Sequence, residues 1–421
     1  MKKGLLIICF LLPLLQFSQD FSESWEGHFS YNKITAVTRG QNKIFAASDN
    51  AVFVSDQTTG VLEEITTVNG LSGEIISSLY YSEDYDLLIV GYQTGLIEIV
   101  FDDGSKVLSI VDIVDKATIP PTQKRINHFN AIENILYVAT NYGISVFDMD
   151  RLEFGDSYFI GPNGSQIPVT ETTVYGNYIY AACLDNYGLK SAVMSSSNLI
   201  DYQNWSTIAT GSWLATETHA NNLYAVNTNR KLYQVNNNTS VSEVAAYNHV
   251  PVDLESVEDH LVVTTQSQVF VYDSNFNEMV QIGAVPEFTT KYSAGILDAD
   301  FIYIGTENFG ILKTPINNPT LFEEVHPDGP LLNIPFSVEA STDGVWVSFG
   351  EYTLFYNPYP LNNRGFSHLK YDKWINTPYS EVFEAKCLNV ITLNPSNSNQ
   401  AFISSFLVVC WLLRMTCQLF Y

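Results

Sequence analysis

The chain has 421 residues, of which 46% are hydrophobic, 13% aromatic and only 15% charged. This apolar content excludes a disordered protein and is enough for the core of one large domain or two. The formal net charge of −25 makes nucleic acid a poor partner, and it disfavours direct binding to anionic lipid unless divalent cations bridge the two.

The N-terminus predicts a secretory signal peptide over residues 1–19. Lys2 and Lys3 precede a short apolar run over residues 5–15, and polar residues follow it. The run is too short to span a bilayer, so no transmembrane span is expected. Cys9 lies inside the run rather than just after it, which argues against a lipoprotein anchor.

Internal repetition is the strongest signal in the sequence. A short phrase recurs, in which two or three aliphatic or aromatic residues precede a small residue. It begins at Ile44, Leu88, Leu136, Ile179, Leu223, Leu261, Ile302 and Val345, with a ninth, similar phrase at Ala401. The spacings run from 38 to 56 residues and centre on 40–45, the length of a four-stranded propeller blade.

Each phrase lies between two other strand patterns and is followed by turn chemistry. Four turns place glycine before an aliphatic residue, at Gly95, Gly143, Gly188 and Gly310, where a tight hairpin often needs a positive φ. The sequence therefore predicts an all-β fold, a β-propeller of seven or eight four-stranded blades with the first strands of a second propeller. A β-solenoid is the less favoured alternative, because the repeat is too long for short rungs.

The predicted domains are a propeller over residues 20–380 and the first strands of a second propeller over residues 381–405. Trp25–Tyr31 is a candidate outer strand that closes the ring with the last blade. Residues 358–380 interrupt the repeat with prolines and asparagines, and we interpret them as a domain junction.

The last segment, residues 406–421, is an apolar tail in which a turn and a glycine-aliphatic strand should stand. We expect it to be aberrant, the product of a frameshift or a premature stop. The alternative is a genuine tail that docks on the domain or on a partner.

No catalytic, cofactor-binding or metal-binding residues are predicted, and the ligand-binding residues stay unknown. The seven histidines are spread along the chain without metal-ligand spacing, and no nucleotide-binding or nucleophile motif occurs. Asp273–Asn277 is the nearest match to a calcium loop, but Glu278 stands where such a loop needs glycine, so we interpret it as a turn. Carboxylates from different blades could still meet in a channel, which sequence cannot show.

After removal of the signal peptide, four cysteines remain, and only Cys183 lies within the repeats. A disulfide framework is therefore not what we expect to hold the repeats together.

Several segments resemble the PorZ family of the type IX secretion system. They are Phe17–Gln19, Trp25–Tyr31, Trp346–Gly350, Tyr356–Pro358, Trp374–Asn376 and Asn394–Ser405. The resemblance covers roughly residues 1 to 405. It implies two propellers and a C-terminal secretion domain, of which this chain would hold only the first propeller and the start of the second.

The resemblance further implies a non-enzymatic scaffold without cofactors, exported to the periplasm or outer-membrane surface of a Gram-negative bacterium. Its expected partners are attachment-complex proteins, including the sortase, and anionic lipopolysaccharide. It would aid cargo maturation and surface anchoring. Two alternatives stay open at this stage: the periplasmic sensor propeller of a two-component regulator, and a carbohydrate-active propeller enzyme.

Overall fold

The computed structural model describes residues 26–101, 106–195, 198–342, 344–353, 359–406 and 411–414. These residues fold into nine antiparallel sheets. Within each sheet the strands follow one another in the chain and pair with their sequence neighbours. The all-β prediction is therefore confirmed.

The strands of the first four sheets are β1 (Ala36–Gly40), β2 (Lys43–Ala47), β3 (Val52–Asp56) and β4 (Leu62–Ile65); β5 (Ile76–Ser82), β6 (Leu87–Tyr92), β7 (Ile97–Phe101) and β8 (Val107–Ile110); β9 (Ile126–Ile132), β10 (Ile135–Thr140), β11 (Gly143–Asp148) and β12 (Glu153–Tyr158); β13 (Val169–Tyr175), β14 (Tyr178–Cys183), β15 (Gly188–Val193) and β16 (Ser206–Ala209).

The next four sheets comprise β17 (Trp213–His219), β18 (Asn222–Asn227), β19 (Lys231–Asn236) and β20 (Ser240–Ala246); β21 (Pro251–Val257), β22 (His260–Thr265), β23 (Val269–Tyr272) and β24 (Glu278–Ile282); β25 (Tyr292–Asp298), β26 (Phe301–Thr306), β27 (Ile311–Pro315) and β28 (Glu323–Val325); β29 (Ser337–Ser341), β30 (Gly344–Ser348), β31 (Phe366–Lys370) and β32 (Lys373–Thr377). The ninth sheet holds β33 (Leu388–Asn394), β34 (Asn397–Ser405) and β35 (Trp411–Arg414).

Helices are few and short. One α-helix, α1, covers Asp112–Asp115, and single 3₁₀ turns lie at Thr67–Asn69, Pro121–Gln123, Pro162–Gly164, Tyr202–Asn204 and Tyr379–Glu381. In the part of the chain that the structure describes, no helix has the length and apolar character needed to cross a membrane.

Seven sheets close into a ring. The first strand of each sheet packs against the first strand of the next, from β1 through to β25, and β25 packs back against β1. The molecule therefore contains a seven-bladed β-propeller whose innermost strands surround a central channel. We expected this propeller to extend to residue 380, but the ring is complete at β28.

The repeated phrase found in the sequence forms the second strand of every sheet, from β2 to β34. These strands carry much of the core: Ala46, Ile179 and Val262, for example, have no exposed surface. Each fully buried Ile or Val side chain of this kind stabilises the fold by about 1.5–3 kcal/mol relative to exposure. Packing between neighbouring sheets is thus what the periodic apolar pattern encodes.

The glycine turns behave as the sequence predicts. Gly95, Gly143, Gly188 and Gly310 all have positive φ. At Gly143, with φ of +143°, an added Cβ would come within 2.3 Å of the Tyr158 carbonyl oxygen, so no other residue fits there.

The N-terminal segment adds no strand to the last blade of the ring, contrary to the expectation for Trp25–Tyr31. Residues 26–31 form no strand, and Trp25 lies outside the described residues. The segment instead lies beside the loop before the eighth sheet: the Ser30 amide donates to Asn333 Oδ1 at 2.6 Å, and His28 packs edge-on against Trp374.

Noncovalent contacts join the first and seventh blades. The Ile34 amide donates to the Thr306 carbonyl oxygen at 2.8 Å. The Arg39 guanidinium lies 2.7 Å from an Asp298 carboxylate oxygen of the seventh blade, and 3.5 Å from Glu258 of the sixth. We call this junction the seam.

The eighth sheet belongs with the ninth rather than with the ring. β29 and β30 pack against β33, and Trp346, with no exposed surface, stacks on His368 with ring centroids 3.9 Å apart. Interpreting residues 358–380 as a junction was wrong, because β31 and β32 complete the eighth sheet. The long spacing before the last repeat reflects the connection between β30 and β31. That these two sheets begin a second propeller stays a prediction.

Three other predictions fall wholly or partly outside the described residues. They concern the signal peptide, two of the four cysteines that remain after its removal (Cys410 and Cys417), and most of the tail, of which only residues 406 and 411–414 are described. Cys183 and Cys387 are both buried.

Candidate functional site

A bulge recurs at the same point of the innermost strand in blades two to seven. One residue is left out of the pairing with the second strand, between Ile76 and Ser78 in the second blade and between Val169 and Glu171 in the fourth, for example. The residue after each bulge pairs with the fourth residue of the repeated phrase, as Ser78 does with Gly91. A bulge re-aims the side chains that follow it, so equivalent side chains meet around the channel.

The channel holds a cavity of about 680 Å³ lined by residues of all seven innermost strands. We call it the channel cavity. Its lining includes Arg39, Ser78, His128, Glu171, Glu217, Asp253 and Glu255. It is large enough for a small organic molecule.

Four carboxyl groups occupy one side of the channel cavity. Glu171 and Asp253 directly follow the bulges of the fourth and sixth blades. Glu217 and Glu255 lie two residues further along the innermost strands of the fifth and sixth blades. We call this set of four carboxyl groups the acidic wall. Consecutive blades are neighbours in the ring, so the topology brings these charges together.

Two of these carboxylates tie neighbouring blades to each other. The Thr216 amide on β17 donates to Glu171 Oε1 at 3.1 Å, and the Gly295 amide on β25 donates to Asp253 Oδ2 at 2.9 Å. Each carboxylate therefore satisfies a backbone donor on the next innermost strand. Glu217 differs, because its Oε1 accepts from the Thr218 amide of its own strand at 2.8 Å.

Burial raises the pKa of all four groups, and repulsion by neighbouring carboxylates raises it further for Glu171 and Glu255. Burial raises the pKa of Glu217 to about 7. The pKa of Glu171 rises well above its ordinary value, through burial and through the nearby charges of Glu217 and Glu255. Burial likewise raises the pKa of Asp253 and of Glu255, the latter also through Asp253. At neutral pH the acidic wall thus holds a mixture of neutral and ionised carboxyl groups.

The opposite side of the cavity carries basic and neutral polar groups. Burial lowers the pKa of His128 to about 4, so its imidazole is neutral at pH 7. Arg125 is half-buried and forms no ion pair within the described residues. Arg39 is held by Asp298 at the seam. One unpaired guanidinium therefore faces four carboxyl groups.

Sequence reasoning missed this site, although a signal for it exists. Glu171 and Asp253 stand eight residues before the phrases at Ile179 and Leu261, and Glu217 and Glu255 stand six residues before theirs. Acidic residues at these two fixed offsets from the repeated apolar phrase line the channel in blades four to six. Aligning the repeats on the phrase would have revealed it.

The residues that the sequence singled out have structural positions. Asp273 closes a turn, where its Oδ1 accepts from the amides of Asn275 at 2.9 Å and Asn277 at 2.8 Å. His219 is buried between the fifth and sixth blades against Ser256, at 3.2 Å. In the described ranges, no three His, Cys, Asp or Glu side chains are grouped so as to hold one metal ion.

Comparison with known proteins gives a consistent fold assignment. The family model of the PorZ N-terminal β-propeller domain of the type IX secretion system matches residues 44–206. No curated protein sequence matches the chain.

Two solved structures resemble the fold. The first is PorZ of Porphyromonas gingivalis, described as an essential bacterial surface component of the type IX secretion system, with a TM-score of 0.75 and 16% identity over 91% of this chain and 51% of that one. The second is the extracellular domain of a protein of B. thetaiotaomicron described as a hybrid two component system, with a TM-score of 0.52 and 12% identity over 91% of this chain and 52% of that one. The chain thus spans about half the length of each.

Proposed function

Because residues 44–206 match the family model of the N-terminal β-propeller domain of PorZ, we propose that this chain acts in the type IX secretion system as an exported, non-enzymatic scaffold. The match to the PorZ domain is the observation that carries this proposal, and the similar fold of PorZ supports it. Its partners would be proteins of the attachment complex, including the sortase, and its task would be to aid cargo maturation and surface anchoring.

The test is deletion of the gene in its own bacterium, followed by complementation with the full chain. Fractionation and protease treatment of whole cells then measure how much type IX cargo is processed and attached to the surface. We expect loss of surface cargo on deletion, recovery on complementation, and co-purification of attachment-complex proteins with the tagged chain. Unchanged cargo processing would contradict the proposal.

Recognition of anionic lipopolysaccharide is the finer part of the proposal. A chain of net charge −25 repels an anionic glycolipid at long range, so binding should depend on bridging divalent cations. Titration with purified anionic lipopolysaccharide should show binding in calcium or magnesium and loss of binding in a chelator. Absence of binding in both conditions would remove this partner and leave the scaffold role.

The acidic wall keeps the carbohydrate-active enzyme as a second candidate. A neutral carboxyl group near an ionised one is the pair that glycoside hydrolysis uses. Incubation with envelope glycans, comparing the wild-type chain with E217Q and E255Q, decides between the two. Turnover that both substitutions abolish would favour the enzyme, whereas no release of sugar supports the scaffold.

A further inference from the structure

The acidic wall has no matching set of cations within the described chain. Arg39 is held at the seam by Asp298, and Arg125 alone faces the four carboxyl groups from the third blade. Four carboxyl groups held near one another with one opposing guanidinium leave an excess of negative potential in the channel cavity. A low-dielectric wall of this kind concentrates cations.

An unpartnered hydroxyl on the opposite side supplies a second, independent observation. Ser78 is only 5% exposed and lines the channel cavity, and its hydroxyl forms no hydrogen bond with a described residue. A hydroxyl in this position can donate a hydrogen bond to a molecule in the cavity or accept one from it.

From the cavity, the acidic wall and this unpartnered hydroxyl, we propose that the channel cavity binds a small organic polycation of the polyamine class. Its amino groups would contact Glu217 and Glu255, and the Ser78 hydroxyl would accept a further hydrogen bond. The inference stands apart from the secretion role and holds whether or not that role is confirmed.

The spread of the carboxyl groups favours an elongated organic cation over a metal ion. The four groups lie on three blades, and in the described residues no three metal-ligating side chains form one coordination site. A flexible chain with several amino groups can reach separate carboxylates, whereas a single ion cannot. The volume of about 680 Å³ also exceeds the needs of a hydrated ion.

Binding should release protons. A bound ammonium group favours the ionised form of its carboxylate partner, so a neutral carboxyl group of the acidic wall loses its proton when the ligand enters. Arg39, Arg125 and His128 are the basic groups facing the acidic wall. His128 is neutral near pH 7 because its pKa is about 4, so the released protons come from the carboxyl groups.

The experiment is isothermal titration of the full chain with spermidine at pH 7 in two buffers of different ionisation enthalpy. We expect one class of site, proton release, and weaker binding at pH 5, where the carboxyl groups are neutral. E217Q and E255Q should each weaken binding about tenfold, the scale of one charge-assisted hydrogen bond. The matched control is E287Q, an exposed glutamate outside the cavity, which should bind as the wild type does.

Circular dichroism confirms that each variant is folded, and the two glutamine variants on different blades guard against the loss of one. Absence of saturable spermidine binding would overturn the proposal. So would equal weakening in E287Q, which would indicate attraction to the overall charge of the protein. Binding of magnesium chloride with the same affinity would overturn the assignment to an organic cation.

Discussion

Replacing Glu217 with glutamine should stabilise the chain above neutral pH and have little effect in acid. In the folded chain the pKa of this carboxyl group is about 7, against an ordinary value of 4.5. The folded state therefore holds the proton more tightly than the unfolded state does. The stabilisation of the folded state by this bound proton is fully present below pH 4.5 and is lost as the pH rises to about 7. Above that pH, the ionised group lowers the free energy of unfolding by a constant amount.

The size of the effect follows from the same values. A tenfold change in proton affinity is worth about 1.4 kcal/mol, so the full difference corresponds to roughly 3 kcal/mol. Because the side chain is only partly buried and faces an open cavity, we expect on the order of 1–3 kcal/mol. Glutamine preserves the acceptor that the Thr218 amide uses in the wild type.

The assay is urea unfolding of the wild type and E217Q at pH 4.5, 6, 7 and 8.5, with E287Q as the control. It measures the difference in the free energy of unfolding at each pH. The advantage of E217Q should be near zero at pH 4.5 and reach its plateau above pH 7.5. A difference between the two proteins that stays constant across this range, or a wild type that is more stable than E217Q at pH 8.5, would refute the reasoning. E287Q should track the wild type at every pH.

Three further outcomes follow from the fold. R39M should lower the free energy of unfolding by about 1–3 kcal/mol in urea titration, because it removes the ion pair at the seam and leaves the Asp298 carboxylate without its cation. A change of less than about 0.5 kcal/mol would show that the ion pair contributes little to stability. G143A should destabilise by more than about 2 kcal/mol, whereas G176A, at a position of positive φ with open space, should cost about 1 kcal/mol; equal melting temperatures would contradict the steric argument. Cys183, whose pKa burial raises to about 12, should resist iodoacetamide at pH 8 in the folded chain and react in urea, as peptide mapping by mass spectrometry can show.

The blades could be predicted because their signal is local. The phrase at Ile44 and its later copies mark the second strands, and the glycine turns at Gly95 and Gly143 mark the hairpins that follow. Apolar alternation and turn chemistry depend only on nearby residues. The number of blades could not be predicted from such local patterns, because closure of the ring depends on the contact between β1 and β25.

The outcome at the two ends of the repeat region shows where local patterns stop being informative. Trp25–Tyr31 has the composition of a strand, but residues 26–31 lie against the loop near Asn333 and pair with no sheet. Residues 358–380 contain prolines that suggest a boundary, but Phe366–Lys370 completes a sheet after a long connection. Both cases depend on contacts between residues distant in sequence, which a local pattern does not contain.

The acidic wall was missed for a related reason. Glu171 and Asp253 are 82 residues apart in the sequence, and each taken alone resembles an ordinary surface carboxylate. Only the ring places them around one cavity, where burial is the largest cause of their raised pKa. A comparison between repeats, rather than within one, is the way such a site can be found from sequence.

Every blade of the ring is encoded by one unbroken stretch of the chain, and this has a consequence for how such a gene can change. Duplication or loss of one repeat adds or removes a complete sheet without leaving another sheet incomplete, since no blade borrows a strand from the far end of the ring. A duplicated fourth or sixth repeat would also copy its channel carboxylate, because Glu171 and Asp253 keep a fixed offset from the phrase that follows. The number of blades and the charge of the channel can therefore be altered by the same genetic event.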